Sequence, residues 1–399
     1  MSLLGEELEF VRSVVRAGGP VPAREGRRPE RYVSSEHGQV ELRSLGERLL
    51  RSRKVVVMMA AGGISARMGG TSLRGLLPVG PVTGKSLFRL QAEKIIALRR
   101  RFGADLRWLV MTSSSIHAAT QAAFERERID GEAEFIQQTS LPIVDKELQP
   151  IYSTEGEPVM FPTGHGGMFQ ALAGKGVIEQ LIREGVEHLF FFQYPNLLEN
   201  ICDPVMLGYH HAHNHEVTLK GFTEYAQDER VGRIVEMDAG LRVVEYYYVP
   251  RPNRGLFDVF PANMGTYVIS VELLRRCAAD GVALPWHCVA LNSPPVPSAR
   301  WKVEQFVFDL LMFANRAGLI LCDRRCEYAP IKAPEGRDSL QDARARLLGV
   351  YRQWLAAARA EPRFAGARVE ISPLFALGEA DVVRGVKPGT IYEDGAIFQ

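Results

Sequence analysis

The sequence predicts an α/β fold built on a largely parallel β-sheet. Strand-like and helical stretches alternate from residue 55 to residue 137, which is the order of βαβ units. The stretch Val55–Ala60 is apolar throughout, as expected of a strand that is buried on both faces. With 399 residues, the chain is long enough for one large α/β domain with appendages.

Periodicity and turn residues predict the elements in order. Helices are predicted over residues 5–17, 40–52, 86–101, 116–127 and 343–358, and apolar strands over 55–60, 107–111, 134–137 and 189–193. Alternating stretches predict an extension of the sheet over residues 218–223, 233–237 and 242–248, and short strands follow around 369–374 before a turn at 388–389. Residues 18–35 are rich in proline, glycine, arginine and glutamate, which predicts an exposed arm.

Composition excludes several classes of protein. Lys and Arg number 48 against 47 Asp and Glu, so the net charge of +1 gives no overall field for nucleic acid or for an anionic membrane. The five cysteines are odd in number and lack a C-x-x-C spacing, which argues against a disulfide framework or a cysteine-based zinc site. No apolar stretch reaches the roughly 20 residues that span a bilayer, and acidic residues stand where a signal peptide would be apolar. We therefore expect a cytoplasmic protein.

A glycine-rich loop follows the first apolar strand. Gly62 and Gly63 leave backbone amides open to an anion, so the loop is a candidate phosphate site at the carboxyl end of a strand. The loop lacks the G-x-G-x-x-G spacing of dinucleotide sites. A second segment, residues 80–86, resembles a P-loop but has three residues between its glycines where a P-loop has four. A tight connection remains the alternative for both segments.

Further motifs follow this loop in a fixed order. They are LRGLLPVG (73–80), KSLFRLQAEKI (85–95), MTS (111–113), FIQQ (135–138), PTGHGG (162–167), DERVG (228–232), VVEY (243–246) and AN (262–263). Together they resemble the UDP-sugar pyrophosphorylase family, type 1, which carries L-A-G-G-x-G-T-R-L-G, P-K-G and K-[ST]-L-F-x-x-Q-A-E. Several matches in the same order along the chain are more specific evidence for the family than any single match.

The C-terminal third resembles the UDP-N-acetylhexosamine branch of this family. The matching segments are KVEQFVFD (302–309), EYAPIK (327–332), Asp338 and Ser339 with Ala343 and Arg344, and EISPL (370–374). The segment Gly164-His165-Gly166 is instead closer to UDP-glucose pyrophosphorylases, because the hexosamine branch usually has Asn between those glycines. The resemblance spans roughly residues 51–399.

The resemblance implies a nucleotide-diphospho-sugar transferase fold, Rossmann-like and GT-A-like, with a mixed sheet, an N-terminal arm and a small C-terminal domain. The expected units are an N-terminal helical arm (1–50), a nucleotidyltransferase catalytic domain (51–345) and a C-terminal domain of a helix and short strands (346–399). The implied activity joins UTP to a sugar 1-phosphate, forming a UDP-sugar and pyrophosphate. Partners are thus UTP and a sugar 1-phosphate, without nucleic acid or membrane; the oligomeric state stays open.

The resemblance also implies roles for single residues. Three cations are expected to handle the phosphates and carry catalysis: Arg67, Arg74 and Lys332. The nucleotide is expected to contact Ala61, Gly62, Gly63, Gln137, Gln138, Gly164 and His165. In this set, Gln137 or Gln138 matches the glutamine that pairs with the uracil edge, and His165 is expected to bind rather than to transfer protons. The sugar is expected to contact Asn196, Glu245 and Asn263.

Three departures from the family pattern affect the expected chemistry. Arg74 replaces a lysine, and Ser65 and Ala66 replace a glycine and a threonine of the loop. Pro195 replaces the aspartate that is the family's expected Mg²⁺ ligand. The implied Mg²⁺ is therefore held by another acid, by UTP alone or not at all, and no metal ligand is assigned. Two alternatives stay open beside the uridylyltransferase: a weak or inactive UDP-sugar-binding homologue, and an enzyme for an unusual phosphate acceptor.

Overall fold

A mixed β-sheet organises the chain, and helices pack on both of its faces. The computed structural model describes residues 3–17, 26–35, 39–62, 73–226, 229–246, 260–291 and 300–399. In these stretches no helix is both long enough and apolar enough to cross a membrane. The predicted α/β architecture is confirmed.

The strands and helices have the following bounds. The strands are β1 (Val33–Ser34), β2 (Val55–Ala60), β3 (Trp108–Ser113), β4 (Glu134–Gln138), β5 (Ser140–Pro142), β6 (Met160–Pro162), β7 (His188–Gln193), β8 (Val217–Phe222), β9 (Arg233–Met237), β10 (Gly240–Val244), β11 (Ala262–Ser270), β12 (His287–Ala290), β13 (Trp301–Glu304), β14 (Ala317–Leu321), β15 (Glu361–Pro362), β16 (Val369–Ile371), β17 (Ile391–Tyr392) and β18 (Ala396–Phe398). The helices are α1 (Leu3–Ala17), α2 (Val40–Arg51), α3 (Leu87–Phe102), α4 (His117–Arg126), α5 (Gly167–Gly174), α6 (Val177–Arg183), α7 (Pro204–Ala212), α8 (Val271–Ala279), α9 (Arg324–Glu327), α10 (Leu340–Ala357) and α11 (Glu379–Gly385).

The large sheet has the strand order β1-β14-β8-β11-β7-β2-β3-β4, and β9 and β10 extend it from β11. All strands of this path run parallel except β11, which is antiparallel to both β7 and β8. Parallel pairing brings the carboxyl ends of β7, β2, β3 and β4 to one edge. As predicted, the end of β7 lies beside the loop that follows β2, because Ala60 pairs with Gln193.

Both faces of the sheet carry a hydrophobic core. Val57 and Met59 of β2 belong to the core under α2, α3, α7 and α10, whereas Val56 and Met58 belong to the core under α5, α6 and α8. All four side chains are fully buried. The lack of alternation in the sequence thus reflects burial on both faces.

The predicted exposed arm needs a correction in its described part, residues 26–35. Val33 and Ser34 form β1 and pair in parallel with Ile320 and Leu321 of β14. Arg27 also exchanges backbone hydrogen bonds with Glu236 of β9 at 2.9 Å. The side chains are mostly exposed, as the composition indicates, but the backbone belongs to the sheet.

The predicted unit boundaries at residues 50 and 345 do not coincide with gaps in packing. Helix α2 packs against α7 of the central unit, with the backbone of Gly46 against that of Pro204. Residue 345 lies inside α10, which begins after its N-cap Ser339. Leu347 and Val350 of this helix share the core of the sheet with Val369. Helix α2 and the C-terminal helix and strand are therefore packed on the same core as the central unit.

The segment at residues 80–86 holds a carboxylate of the chain itself. The Glu370 carboxylate of β16 accepts hydrogen bonds from Val82 N at 3.0 Å, Thr83 N at 2.8 Å and Thr83 Oγ1 at 2.7 Å. Lys85 lies 3.5 Å from the same carboxylate and 2.6 Å from Glu93 of α3. Ser86 caps α3 by accepting from Arg89 N. The P-loop-like residues therefore fix the C-terminal strands to α3.

Candidate active site at the carboxyl edge of the sheet

The carboxyl ends of four parallel strands line the candidate site. Ala60 of β2 pairs with Met111 of β3 on one side and with Gln193 of β7 on the other. Ser113 of β3 in turn pairs with Gln138 of β4. Ala61 continues this edge, with its backbone nitrogen bonded to Met111 O at 2.8 Å. Polar groups of distant motifs thus meet along one edge.

Gly62 and Gln138 form a narrow slot at this edge. A Cβ added to Gly62 would overlap the Gln138 side-chain nitrogen, so only glycine lets the amide lie against the backbone here. Gln138 is buried, and its Oε1 accepts a long hydrogen bond from Thr163 Oγ1 at 3.4 Å. The amide of Gln138 therefore has hydrogen-bonding capacity left for a ligand.

The two predicted glutamines face opposite sides of β4. Side chains two residues apart in a strand lie on the same face. Gln138 therefore shares a face with Ile136, which packs in the core under α5, and Gln137 shares the other face with Phe135, which packs toward the opposite core. The segment with Gly164 lies on the Gln138 side, since Thr163 contacts Gln138. Geometry therefore favours Gln138 as the base-reading residue of the pair.

Gly164 and His165 lie in the turn that begins α5. Gly164 has φ +85°, and a Cβ there would approach Gln305 O to 2.6 Å, so this turn requires glycine. His165 Nδ1 accepts from Val307 N at 3.0 Å, and its ring packs among Phe191, Phe306 and Phe308. Burial, with contributions from His287 and Lys302, lowers the pKa of His165 to about 3. The ring is therefore neutral, and its hydrogen bond with Val307 holds the turn in place.

The segment after β7 is joined to the segment that carries Lys332. Pro195 O accepts from Ile331 N at 3.0 Å, and Leu197 N donates to Ala329 O at 3.0 Å. Asn196 donates to Glu199 Oε2 at 2.9 Å and to Glu327 O at 2.8 Å, while its Oδ1 accepts from Ala329 N at 2.8 Å. Asn196 is buried, and both atoms of its amide are engaged in these hydrogen bonds. The structure therefore gives no support to its predicted contact with the sugar.

Lys332 and Glu245 lie close enough for the charge of the lysine to act on the carboxyl group. Lys332 Nζ donates to Tyr328 Oη at 2.6 Å and lies 5.2 Å from the centre of its ring. Burial raises the pKa of Glu245 to about 7, although the charge of Lys332 opposes the rise. The charges of Glu304 and Asp309 add to the rise. The carboxyl group of Glu245 is therefore poised between two protonation states near neutral pH.

Asn263 and Arg74 lie on the β7 and β11 side of the site. Asn263 shares hydrogen bonds with Tyr267 Oη, and its Oδ1 also accepts from Gly265 N at 3.2 Å. Arg74 lies near Tyr194, and its buried Nε has no hydrogen-bond partner among the described residues. An unsatisfied guanidinium nitrogen beside a loop is a ready donor for an anion. Gly63 and Arg67, with Ser65 and Ala66, lie outside the described residues.

The positions where the family pattern places its Mg²⁺ ligand offer no free carboxylate. Pro195 offers no carboxylate and Asn196 is engaged as described. Asp203, the next aspartate along the chain, caps α7 by accepting from Val205 N at 3.0 Å and binds Lys220 Nζ at 2.7 Å. It is also buried. None of these three positions can give Mg²⁺ an oxygen from a free carboxylate.

Several polar residues at the site received no predicted role. Lys302 is paired with Glu304, and Lys302 lies 5.5 Å from the centre of the Phe161 ring. His287 Nε2 and Asp309 Oδ2 are 2.8 Å apart. The segment 302–309 matches a family motif, so its charged residues could have been predicted as site residues. Nothing in the sequence indicates that Gln193 and Tyr328 lie at the site, because their positions depend on tertiary packing.

Comparisons with known proteins identify the class. The family model of UTP–glucose-1-phosphate uridylyltransferase matches residues 24–260, and the chain belongs to this family. It is therefore a nucleotidyltransferase of the UDP-sugar pyrophosphorylase class.

Individual relatives and solved structures agree with this class. UDP-N-acetylglucosamine pyrophosphorylase of Saccharomyces cerevisiae is 28% identical over 358 residues, which cover 82% of this chain and 75% of the relative. The uridine diphosphate N-acetylglucosamine pyrophosphorylase structure from Trypanosoma brucei gives a TM-score of 0.76 at 24% identity, covering 95% of this chain and 85% of that one. UDP-glucose pyrophosphorylase from Leishmania major gives 0.67 at 19% identity, covering 82% and 73%. The two structures confirm the fold.

Proposed function

We propose that the protein transfers the uridylyl group of UTP to an N-acetylhexosamine 1-phosphate, forming a UDP-N-acetylhexosamine and pyrophosphate. The name of the yeast relative and the motifs of residues 302–332 support this acceptor class. The observation that carries the proposal is the meeting, at one sheet edge, of the Gly62–Gln138 slot and the segment that carries Lys332, which is hydrogen-bonded to the loop after β7. The cytoplasmic location predicted from composition is part of the proposal.

The proposed reaction needs positioning rather than a general base. A phosphate oxygen of the sugar 1-phosphate attacks the α-phosphorus of UTP. A phosphorus–oxygen bond forms there, the bond to the oxygen bridging the β-phosphate breaks, and pyrophosphate leaves with the electron pair. Because the nucleophile is already an anion, no side chain has to remove a proton. The protein must align two polyanions and neutralise their charge.

The described residues divide this work between two sides of the site. Gln138 and the Gly62 backbone hold the uracil, because an amide can pair with both a donor and an acceptor on the base edge. Lys332, held by Tyr328, and Arg74, with its unpartnered Nε, neutralise the phosphates. Glu245 binds sugar hydroxyl groups. The residues in place of the family's metal ligand do not fit Mg²⁺, so no step here depends on it.

The proposal is tested by pyrophosphate release from UTP with a panel of hexose and N-acetylhexosamine 1-phosphates. We expect an N-acetylhexosamine 1-phosphate to give the highest kcat/KM. Lys332→Met should lower kcat/KM by roughly 100-fold, the cost of one charge-stabilising group. The matched control Lys146→Met, on an exposed lysine, should leave it unchanged. A preference for glucose 1-phosphate would contradict the proposed acceptor and assign the protein to the UDP-glucose branch. A preference for an unrelated phosphate would indicate an enzyme for an unusual acceptor.

A second candidate function follows from Pro195. Without a carboxylate at this position, the protein would be a weak or inactive homologue that binds a UDP-sugar. In that case calorimetry shows binding of UDP-N-acetylglucosamine by the wild type without turnover. Pro195→Asp should then raise Mg²⁺ affinity and turnover, because the carboxylate would lie beside Lys332 and the phosphates. Full wild-type turnover with no gain in the variant would reject this candidate.

A further inference from the structure

Histidines cluster at the edge of the sheet opposite the candidate active site. The chain has nine histidines, and five of them lie close together: His188, His210, His211, His213 and His215. His188 begins β7, at the amino end of a strand whose carboxyl end lines the active site. The other four belong to the last turn of α7 and the turn that follows it. The cluster is therefore separate from the uridylyltransferase machinery.

Three potential ligand atoms of this cluster lie within 4 Å of one another. His188 Nε2 and His211 Nδ1 are 3.0 Å apart. Glu187 Oε2 is 3.8 Å from the first nitrogen and 3.9 Å from the second. The other oxygen of Glu187, Oε1, binds Lys54 Nζ at 2.9 Å. One carboxylate oxygen is thus held by a lysine, while the second is directed to two imidazoles.

The triangle of these atoms has the size of a metal coordination set. The point equidistant from the three atoms lies about 2.1 Å from each, which matches the bond length of Zn²⁺ to imidazole or carboxylate. Two imidazoles and one carboxylate are also a ligand set that zinc uses in proteins. The His188 side chain is 9% exposed, but those of His211 and Glu187 are 39% and 44% exposed, so an ion and a fourth ligand can enter from solvent.

We propose that Glu187, His188 and His211 bind a divalent transition-metal ion of the Zn²⁺ type. The ion joins the start of β7 to the end of α7. Imidazole ligands favour Zn²⁺, Ni²⁺ or Cu²⁺ over Mg²⁺, which prefers oxygen. Lys54 opposes the ion through its charge and competes for the carboxylate, so it limits the affinity.

The site is tested by calorimetric titration of the tag-free, chelator-treated full chain with ZnCl₂. We expect one zinc per chain, with a raised midpoint of thermal unfolding. His211→Ala should weaken binding by about tenfold or more, since it removes a ligand. Glu187→Gln should weaken it as well, and Lys54→Gln should tighten it. The matched control is His213→Ala, which removes a neighbouring histidine outside the triangle. MgCl₂ should not bind at this site.

Two outcomes would overturn the proposal. One is the absence of zinc binding by the wild type at micromolar concentrations. The other is an equal loss of affinity in His213→Ala and His211→Ala, which would show diffuse binding by a histidine-rich surface. Uridylyltransferase turnover should be the same in His211→Ala as in the wild type. The zinc measurement does not depend on that activity.

Discussion

The adjacent glutamines at the end of β4 point to opposite faces of the sheet, so only one of them lies at the candidate site. Gln138 faces the Gly62 slot and Gln137 faces the other side of the strand. Gln138→Leu should weaken UTP binding roughly 5- to 150-fold, because a missed hydrogen bond leaves the uracil edge unpaired at about 1 to 3 kcal/mol. Gln137→Leu is the matched control and should bind UTP like the wild type. The measurement is calorimetry with UTP, and a larger loss in Gln137→Leu would reverse the assignment.

Glu245 should make the stability of the free protein depend on pH. Its pKa is raised to about 7 by burial, from an ordinary value of 4.5. The folded state therefore holds a proton that the unfolded chain has lost between these values, and the free energy of unfolding falls as the pH rises from 4.5 to 7. Glutamine does not ionise, so the free energy of unfolding of Glu245→Gln should not fall over this pH range. At pH 7.5 the variant should therefore be more stable than the wild type by roughly 2 to 3 kcal/mol.

Urea unfolding at pH 5 and pH 7.5 checks this expectation. At pH 5 the wild type and Glu245→Gln should be nearly equally stable, since Glu245 is then protonated in the folded state. The exposed Glu335→Gln is the control and should show no such difference between the two pH values. An equal effect of Glu245→Gln at both pH values would contradict the burial argument.

At the scale of elements, family motifs hold the scaffold as well as the site. In the motif of residues 85–95, Gln91 of α3 donates to Tyr194 O and Asn196 O, both at 2.9 Å. Glu93 binds Lys85, Arg89 and Ser372. Helix α3 thus fixes the loop after β7 on one side and the C-terminal strands on the other. Residues recognised from a family pattern can owe their presence to packing rather than to catalysis.

Strand β8 is tied to α7 and α9 through a buried charge. Lys220 Nζ binds Asp203 Oδ2 and Glu327 Oε2, each at 2.7 Å, and the lysine side chain is fully buried. Burial opposes its charge, but the two carboxylates outweigh burial and raise the pKa of Lys220 well above the usual value. Glu327 begins the segment that ends at Lys332. The buried lysine therefore helps to position a cation of the active site.

Lys220→Met should destabilise the fold strongly. The substitution leaves two buried carboxylates without their partner, at a cost of about 3 to 5 kcal/mol. The matched control Lys146→Met breaks an exposed ion pair with Glu147 and should cost less than about 1 kcal/mol. Urea unfolding of both variants gives the comparison. Equal stabilities of the two variants would show that the Asp203–Lys220–Glu327 contacts contribute little.

At the scale of the molecule, the C-terminal strands are fastened to the sheet through Glu370. Its side chain is 1% exposed and satisfies two backbone amides and one hydroxyl group of the loop at residues 82–83. Glu370→Ala should lower the free energy of unfolding by about 3 kcal/mol, because it removes three hydrogen bonds to a buried carboxylate at about 1 kcal/mol each. Glu361→Ala, on an exposed residue of β15, is the control and should be neutral. Limited proteolysis should release the C-terminal segment earlier only in Glu370→Ala.

Local pattern predicts much of this fold, and long-range packing accounts for what it misses. Val55–Ala60 and Arg233–Met237 were predicted with their observed bounds because apolar or alternating runs report burial directly. Strand β11 was missed because Asn263, Gly265 and Thr266 interrupt its pattern where the register shifts. Helix α7 was missed because Gly208 and the histidines dilute its periodicity.

The same limit applies to the site. Collinear motifs predict which segments come together at the sheet edge. They do not predict that the Asn196 amide is engaged in internal hydrogen bonds, or that the charge of Lys332 acts on Glu245, because both depend on groups more than 80 residues away. The choice between Gln137 and Gln138 likewise required the pairing of β4 with β3.

The glycine-bearing loop that resembles a P-loop is already occupied by an anion of the chain itself. The loop at residues 82–83 already holds Glu370, a carboxylate delivered by the same molecule and therefore present at high effective concentration. A free phosphate would have to displace this tethered competitor, whereas none of the described residues places a carboxylate against Gly62. Glu370 is therefore an intramolecular competitor for any anion that approaches this loop. In Glu370→Ala, the loop at residues 82–83 should bind inorganic phosphate, and added phosphate should restore part of the lost stability.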